Sequence, residues 1–475
     1  MNNRVSRRGF LATSGAIAAG GGLFSGMAGV LSSPAWADQA DEDGYELWLR
    51  YRRVDDTHLL HTYRTAFTHV VTPDDPTGPE RSAAQELTTG LSGLLGKVIR
   101  QHSRILRDGA VVIGTPSSSP LVAHHVDPNE LAALGPEGYV LTTTRIAGRN
   151  VILVASSGPS GVLYGAFHLL RLVQTRRPVH PLRVVEKPAN PLRMANHWDY
   201  RDRVVQWGYV GRSIFRWDDL PELDPRYTDY ARALASIGIN ASVVNIINAE
   251  YEFLTTSMIQ RLASLAGVLR AWGVRLFLSP NFFSPRALGG LPTADPLDPA
   301  VRAWWRDKVD EIYATIPDFG GFLVKADSEG QPGPLTYGRT HADGANVMAE
   351  ALRPHGGIVI WRAFVGHEAG GDLLRAAYDI FTPLDGDFAD NAIVQVKYGP
   401  LDFQIREPAH PLFGAMPQTN LMLELQITKE YTGSVRHLVY LPPLWKEIYD
   451  FDTHANGPGT TVADVVSGQA SNSSV

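Results

Sequence analysis

Residues 320–334, "GGFLVKADSEGQPGP", run from an apolar stretch straight into a lysine, an aspartate and a glutamate, then into Gly-Gln-Pro-Gly-Pro. The apolar part is short, bounded by glycine, and apolar on both faces, as expected of a parallel-sheet strand covered by helices. Lys325, Asp327 and Glu329 share one alternate-residue face beyond it. Two readings fit these charges equally well: a solvated turn, or the wall of a site.

The same pattern recurs outward in both directions. "LRMANHWD" (192–199), "INASVVNIINA" (239–249), "VRLFLSPNF" (274–282), "GGIVIWRAF" (356–364), "AIVQVKYGP" (392–400) and "NLMLELQITKEY" (420–431) are strand-like. Amphipathic segments such as "MIQRLASLAGVLRAWG" and "AVRAWWRDKVDEIYATI" lie between them. Strands alternating with helices predict a parallel sheet, here an α/β (β/α)₈ TIM-type barrel. Seven strands are expected, and the chain ends before an eighth. No Gly-x-Gly-x-x-Gly follows the first strand, which argues against a dinucleotide-binding sheet.

Nearly every strand ends in polar residues: His197 and Asp199, Asn245 and Asn248, Asn281, Asp327 and Glu329, Arg362, Lys397, Glu430. In such a barrel the active site lies at that end. Isolated buried polar groups are costly, so the repetition argues for one shared pocket.

Before this barrel, residues 44–188 read as an α+β domain. "YELWLRY", "AVVIGT", "GYVLTTTRIAG" and "NVILVASS" are strand-like, and "AAQELTTGLSGLLGKVIR" and "SGVLYGAFHLLRLVQ" have helical spacing. Residues 176–191, "RRPVHPLRVVEKPANP", read as a proline-rich linker, and the barrel follows over 189–468. The seven residues 469–475 are polar and are expected to be disordered.

The first 37 residues stand apart. Arg7 and Arg8 precede a glycine-rich apolar run that ends in "SSPAWA", the pattern of a twin-arginine signal cleaved after Ala37. Export to the periplasm or beyond is the expectation. There is no cysteine among the 475 residues, which excludes disulfides and a cysteine nucleophile. A net charge of −6 without a basic stripe gives no reason to expect nucleic acid as a partner. The fifteen histidines are not paired near strand ends, so neither a metal nor another cofactor is expected.

Asp402, after the sixth strand, and Glu430, ending the seventh, can face Glu329 across a barrel mouth. Two opposed carboxyl groups suit glycoside hydrolysis, where one protonates the leaving oxygen and the other activates water or attacks. Lys325, Arg362 and Lys397 end strands four to six. Part of their role is charge balance; a surplus of cations would suit a substrate carboxylate. Trp198 and Trp361 offer faces for sugar stacking or for packing.

"GGFLVKADSEGQPGPLTYGRTHADGAN", "IVIWRAFV", "PLDGDFADNAIVQVKYGPLDFQIREPAHPLFGAMP" and "LELQITKEY" resemble the α-glucuronidases of glycoside hydrolase family 67. The resemblance runs from about residue 44 to 468 and implies an N-terminal domain like that of hexosaminidases before the barrel. It implies removal of 4-O-methyl-glucuronic acid, α-1,2-linked to the terminal xylose of xylooligosaccharides, with inversion and no metal. It makes Glu329 the general acid and has Asp402 and Glu430 activate water. Lys325, Arg362 and Lys397 would hold the uronate carboxylate, and Trp198 would line the sugar pocket. As acid, Glu329 has to carry a proton, so a buried setting is expected, with Lys325 turned away toward the substrate. Family members dimerise through a C-terminal helical domain, which is expected to be absent here. The alternative reading is a truncated product of the same family that is non-catalytic or only binds sugar. Gln206-Trp207 stands where Glu-Arg is usual, and Tyr398 where asparagine is usual.

Overall fold

The computed structural model describes residues 43–208, 210–364, 372–404, 406–432, 437–468 and 470. The twin-arginine segment and nearly all of the polar tail lie outside these residues. From Trp48 onward the chain forms one compact unit holding two large sheets.

The first sheet has six strands: β1 (His69–Val71), β2 (Gln101–His102), β3 (Ala110–Gly114), β4 (Tyr139–Ile146), β5 (Arg149–Ala155) and β6 (Arg183–Glu186). Their order is β2-β1-β3-β5-β4-β6, with β4 antiparallel to both neighbours. The helices Gly78–Leu95 and Pro159–Gln174 pack together over it. Two sequence expectations change here. "YELWLRY" forms no strand, and its Tyr51 has φ +47. The expected linker contains β6, an edge strand, where flanking prolines are tolerated.

The second sheet is built from β7 (Met194–Asn196), β10 (Ala241–Val243), β11 (Arg275–Leu278), β12 (Gly321–Val324), β13 (Ile358–Arg362), β14 (Ala392–Lys397) and β15 (Asn420–Glu424). These seven strands are parallel and lie in sequence order, the curled sheet of a TIM-type barrel. A hairpin, β8 (Val204–Val205) and β9 (Gly211–Arg212), follows β7. Among the described residues, β7 pairs only with β10 and β15 only with β14.

The helices between these strands start where the sequence supplies a cap. Asp298 accepts hydrogen bonds from the Ala300 and Val301 amides ahead of Pro299, and Thr340 with Asp343 forms a capping box. Each cap satisfies backbone donors that a helix start leaves free, and is worth roughly 1 kcal/mol. Among the described residues no helix is long and apolar enough to cross a membrane.

Strand alternation then sorts the two faces. Phe322, Val324, Val359, Trp361, Val394 and Val396 point outward into the main core beneath the helices. Leu323, Ile358, Ile360 and Ile393 form a separate inner cluster. Continuing the inner face by two residues brings β12 to Lys325 and β13 to Arg362, and by four residues, through Gln395, brings β14 to Lys397. Trp361 is therefore barrel packing: it is buried against Phe282 and donates from Nε1 to His341 Nδ1 at 3.2 Å.

Candidate active site

At the C-terminal ends of the strands a cavity of about 100 Å³ is lined by Trp198, Lys325, Glu329, Arg362, Asp402 and Glu430. These are six of the seven site residues expected from the sequence. The seventh, Lys397, lies behind Phe364, with Nζ 3.9 Å from the ring centroid. Phe364 also faces the Arg362 guanidinium at 4.9 Å and the Lys325 ammonium at 5.1 Å. One aromatic ring thus meets three cations, an arrangement favoured by its electron-rich faces and by exclusion of water. Sequence reasoning missed Phe364, although it lies two residues past Arg362 on the same alternation.

The cations are not in surplus. Their side chains are 1%, 1% and 3% exposed for Lys325, Arg362 and Lys397, and each has its own carboxylate. Arg362 donates from Nε and Nη2 to the two oxygens of Glu424, at 2.7 and 2.9 Å. Lys397 Nζ donates to Asp402 Oδ1 at 2.8 Å. Lys325 Nζ donates to Glu329 and, at 2.8 Å, to Asn248 Oδ1. The physical reason is desolvation: a buried cation without a partner is too costly to keep. Donors still remain for a ligand. The Glu424 pair uses one edge of the guanidinium, leaving Nη1 and the second Nη2 proton, and each ammonium has further protons.

Two expectations are corrected by this geometry. Lys325 turns toward Glu329 rather than away, and Glu329 is 49% exposed rather than buried. A fully desolvated ammonium needs an anion, and the carboxylate four residues on is within reach. Glu424 was also missed. It sits inside the apolar-looking "NLMLELQ", and only its register opposite Lys397 shows that it ends a strand at the site.

The acid-bearing loops are strained. Asp327, Glu329, Asp402 and Phe403 have φ of +50°, +52°, +144° and +60°. Non-glycine residues in such regions cost of the order of 1–3 kcal/mol each and persist only where the surroundings impose them. Here the surroundings are identifiable. Asp327 Oδ2 accepts from the Leu335 amide at 3.1 Å, and a Cβ on Gly333 would lie 2.1 Å from that oxygen. Glu407 Oε2 accepts from the Leu401 amide at 2.6 Å and draws the Asp402 loop inward. Asp327 is thus a loop-closing residue.

Asp402 and Glu430 are pushed in opposite directions. Burial acts to raise Asp402, but Lys397, Arg362 and a 2.9 Å hydrogen bond from Tyr431 Oη outweigh it and hold its carboxyl below the usual range. Burial raises Glu430, with Asp402 and Glu329 adding to it; donors from Gln426 (3.1 Å) and Gln206 (3.0 Å) work against the rise. Such divergence between neighbouring carboxyls is how one site keeps groups in different protonation roles. Tyr398, by contrast, is structural. Buried beside Phe403, its Oη accepts from Lys429 Nζ at 2.8 Å.

A larger cavity, about 610 Å³, lies between β7 and β15 and is lined mainly by apolar residues such as Leu192, Met194, Leu421 and Leu423. Buried polar atoms of Asn196, Gln395 and Trp445 there have no hydrogen-bond partner. Of the paired charges described above, only Glu424 also lines it.

Comparison with known proteins bears on both sheets. The model of the glycosyl hydrolase family 67 middle domain matches residues 172–475, and that of the family's N-terminus matches 47–169. Alpha-glucuronidase A of Emericella nidulans is 42% identical over 454 residues, covering 91% of this chain and 52% of that protein. Alpha-glucuronidase of Hypocrea jecorina is 41% identical over 446 residues, covering 90% and 52%. The chain spans about half the length of the curated relatives it matches. Among solved structures, a family GH115 4-O-methyl-alpha-glucuronidase with specificity for decorated arabinogalactans superposes with a TM-score of 0.51. At 14% identity, over 78% of this chain and 55% of that one, the likeness is one of fold.

Proposed function

This chain belongs to glycosyl hydrolase family 67, and from that premise we propose that it is an α-glucuronidase acting on acidic xylooligosaccharides. The bond cleaved joins (4-O-methyl-)glucuronic acid to O2 of the terminal xylose. The carrying observation is the convergence of Lys325 and Arg362 with Glu329, Asp402 and Glu430 on one small cavity at the strand ends, where buried Lys397 pairs with Asp402 and Glu424 with Arg362. A neutral sugar has no use for such a cluster, whereas a uronate carboxylate can take the remaining Arg362 and lysine donors.

In this reading the reaction is a single displacement. Water attacks the anomeric carbon as the bond to the xylose oxygen breaks. Glu329 gives its proton to that oxygen, and Asp402 or Glu430 takes one from the water. The proton then returns to Glu329 through solvent. Asp402, held ionised by Lys397 and Tyr431, suits the base role. Lys325 is the group that changes partner: as the uronate arrives, its ammonium turns to the substrate and frees the Glu329 carboxyl to carry the proton. We also place the chain outside the cytoplasm through its twin-arginine segment, to be checked by fractionation of cells expressing it.

The test is incubation of the purified chain with a 4-O-methyl-glucuronosyl xylooligosaccharide, followed by proton NMR. Initial release of the β-anomer of the acid supports substrate, bond and inversion together. Initial release of the α-anomer overturns inversion. No release from folded, soluble protein leaves sugar binding without catalysis.

A further inference from the structure

The hairpin β8–β9 carries at its tip three consecutive residues in the left-handed region, Gln206, Trp207 and Gly208, with φ of +47°, +56° and +87°. Glycine adopts this freely, but a tryptophan there is an outlier that asks for a reason. Two observations supply one. Gln206 is buried and tied by Nε2 to the Glu430 carboxylate, so the tip is fastened to the site's own acid. Trp207 stands beside it, 57% exposed, on the rim of the same 100 Å³ cavity, braced by Tyr200 with ring centroids 5.8 Å apart. A large indole held exposed at a cleft is normally a recognition surface.

The cavity is far smaller than the several hundred Å³ that enclose a whole ligand, so it takes one sugar ring. Its inner wall of Lys325, Arg362 and Phe364 suits the anionic ring, and whatever is attached must lie at the rim. We propose that Trp207 is a binding platform for the neutral pentose chain on the leaving side of the scissile bond. Stacking of pyranose C–H groups on the indole face would orient the leaving oxygen toward Glu329. This rests on the function proposed above, but it makes a separate demand on a residue with no role there.

The experiment measures binding of two ligands by calorimetry: a linear, undecorated xylooligosaccharide and free glucuronic acid. Wild type is compared with Trp207→Phe, Trp207→Ala and Trp207→Gly; the glycine variant relieves the backbone and keeps the fold accessible. Losing the indole should weaken xylooligosaccharide binding about tenfold, with phenylalanine in between, as expected for loss of one aromatic contact. Affinity for glucuronic acid should stay within about twofold of wild type, because its donors are untouched. With the decorated substrate, KM should rise with little change in kcat. Wild-type binding of the neutral chain that survives in both the alanine and glycine variants overturns the proposal, as does no binding by wild type. Failure of glucuronic acid to bind any variant would instead overturn the uronate pocket and leave the Trp207 comparison standing.

Discussion

Replacing Glu424 with glutamine keeps its volume and removes one charge from the most buried ion pair of the site. Arg362 and Glu424 are joined by two hydrogen bonds of 2.7 and 2.9 Å, with the guanidinium side chain 1% exposed. A glutamine can accept only one of these bonds and opposes its own amide protons to the other guanidinium donor. One lost bond to a charged group is worth about 1.5–3 kcal/mol, and the uncompensated cation brings the total to about 3–5 kcal/mol. Against a folding free energy of roughly 5–15 kcal/mol this is a large fraction. The double variant Glu424→Gln/Arg362→Met removes both charges and should recover much of the loss. Urea unfolding of the wild type, both single variants and the double variant measures the coupling. A Glu424→Gln cost below about 1 kcal/mol, or a double variant no more stable than the single, would refute the claim that a desolvated pair anchors Arg362.

Lys397 is lowered to about 8, chiefly by burial, with Asp402 opposing and Arg362 adding to the shift. Between pH 8 and the ordinary value of 10.5 the unfolded chain holds the extra proton, so this group lets stability rise with pH across that window. Uronate affinity should run the other way and fall above about pH 8, and Lys397→Arg should move that fall upward by more than about one unit, because a guanidinium stays charged. An unchanged midpoint in calorimetric titrations would count against Lys397. Gln206→Met removes a donor that holds Glu430 down, so if Glu430 rather than Asp402 takes the proton from water, the acid limb of kcat/KM should shift to higher pH. A profile that does not move means that Glu430 is not the titrating base.

Much of the fold was legible because the barrel strands are apolar on both faces and end in charges, a combination few other elements share. The barrel helices Thr256–Ala271 and Pro299–Thr315 were legible to within a turn at their starts, and Asp298–Pro299 marks the second in the letters alone, whereas Gly78–Leu95 begins five residues before the segment read as helical. What escaped depends on long-range pairing. β6 is four residues between prolines, and only β4, some forty residues earlier, makes it a strand. Tyr51 sits in "YELWLRY" with perfect strand chemistry, yet it takes a left-handed backbone while its hydroxyl bonds the buried Glu86, which also pairs with Arg232. At the site, residue types and strand ends could be read directly, and six of the seven named side chains line one cavity. Which acid answers which cation could not be read, because that is settled by register and by the cost of leaving a buried charge alone.

Those pairings carry a consequence for how an anion can bind at all. The inner cluster has Lys325, Arg362 and Lys397 against Glu329, Asp402, Glu424 and Glu430. It is already anionic when all four acids are ionised, so a uronate entering it would add to an uncompensated negative charge in a poorly solvated space. The cheapest relief is uptake of a proton by one of the four. Asp402 is held ionised by Lys397 and Tyr431, and Glu424 is locked to Arg362. Glu430 is already raised by burial and by Asp402 and Glu329, so among the four it takes up a proton most readily. Binding of the acid and protonation of Glu430 are then one event, which leaves Asp402 as the ionised carboxylate facing the water. Calorimetry of glucuronic acid binding in buffers of different ionisation enthalpy should therefore report net proton uptake, and Glu430→Gln should abolish it. Binding with no proton uptake would mean that the cluster tolerates the added charge, and the coupling between recognition and protonation would fall.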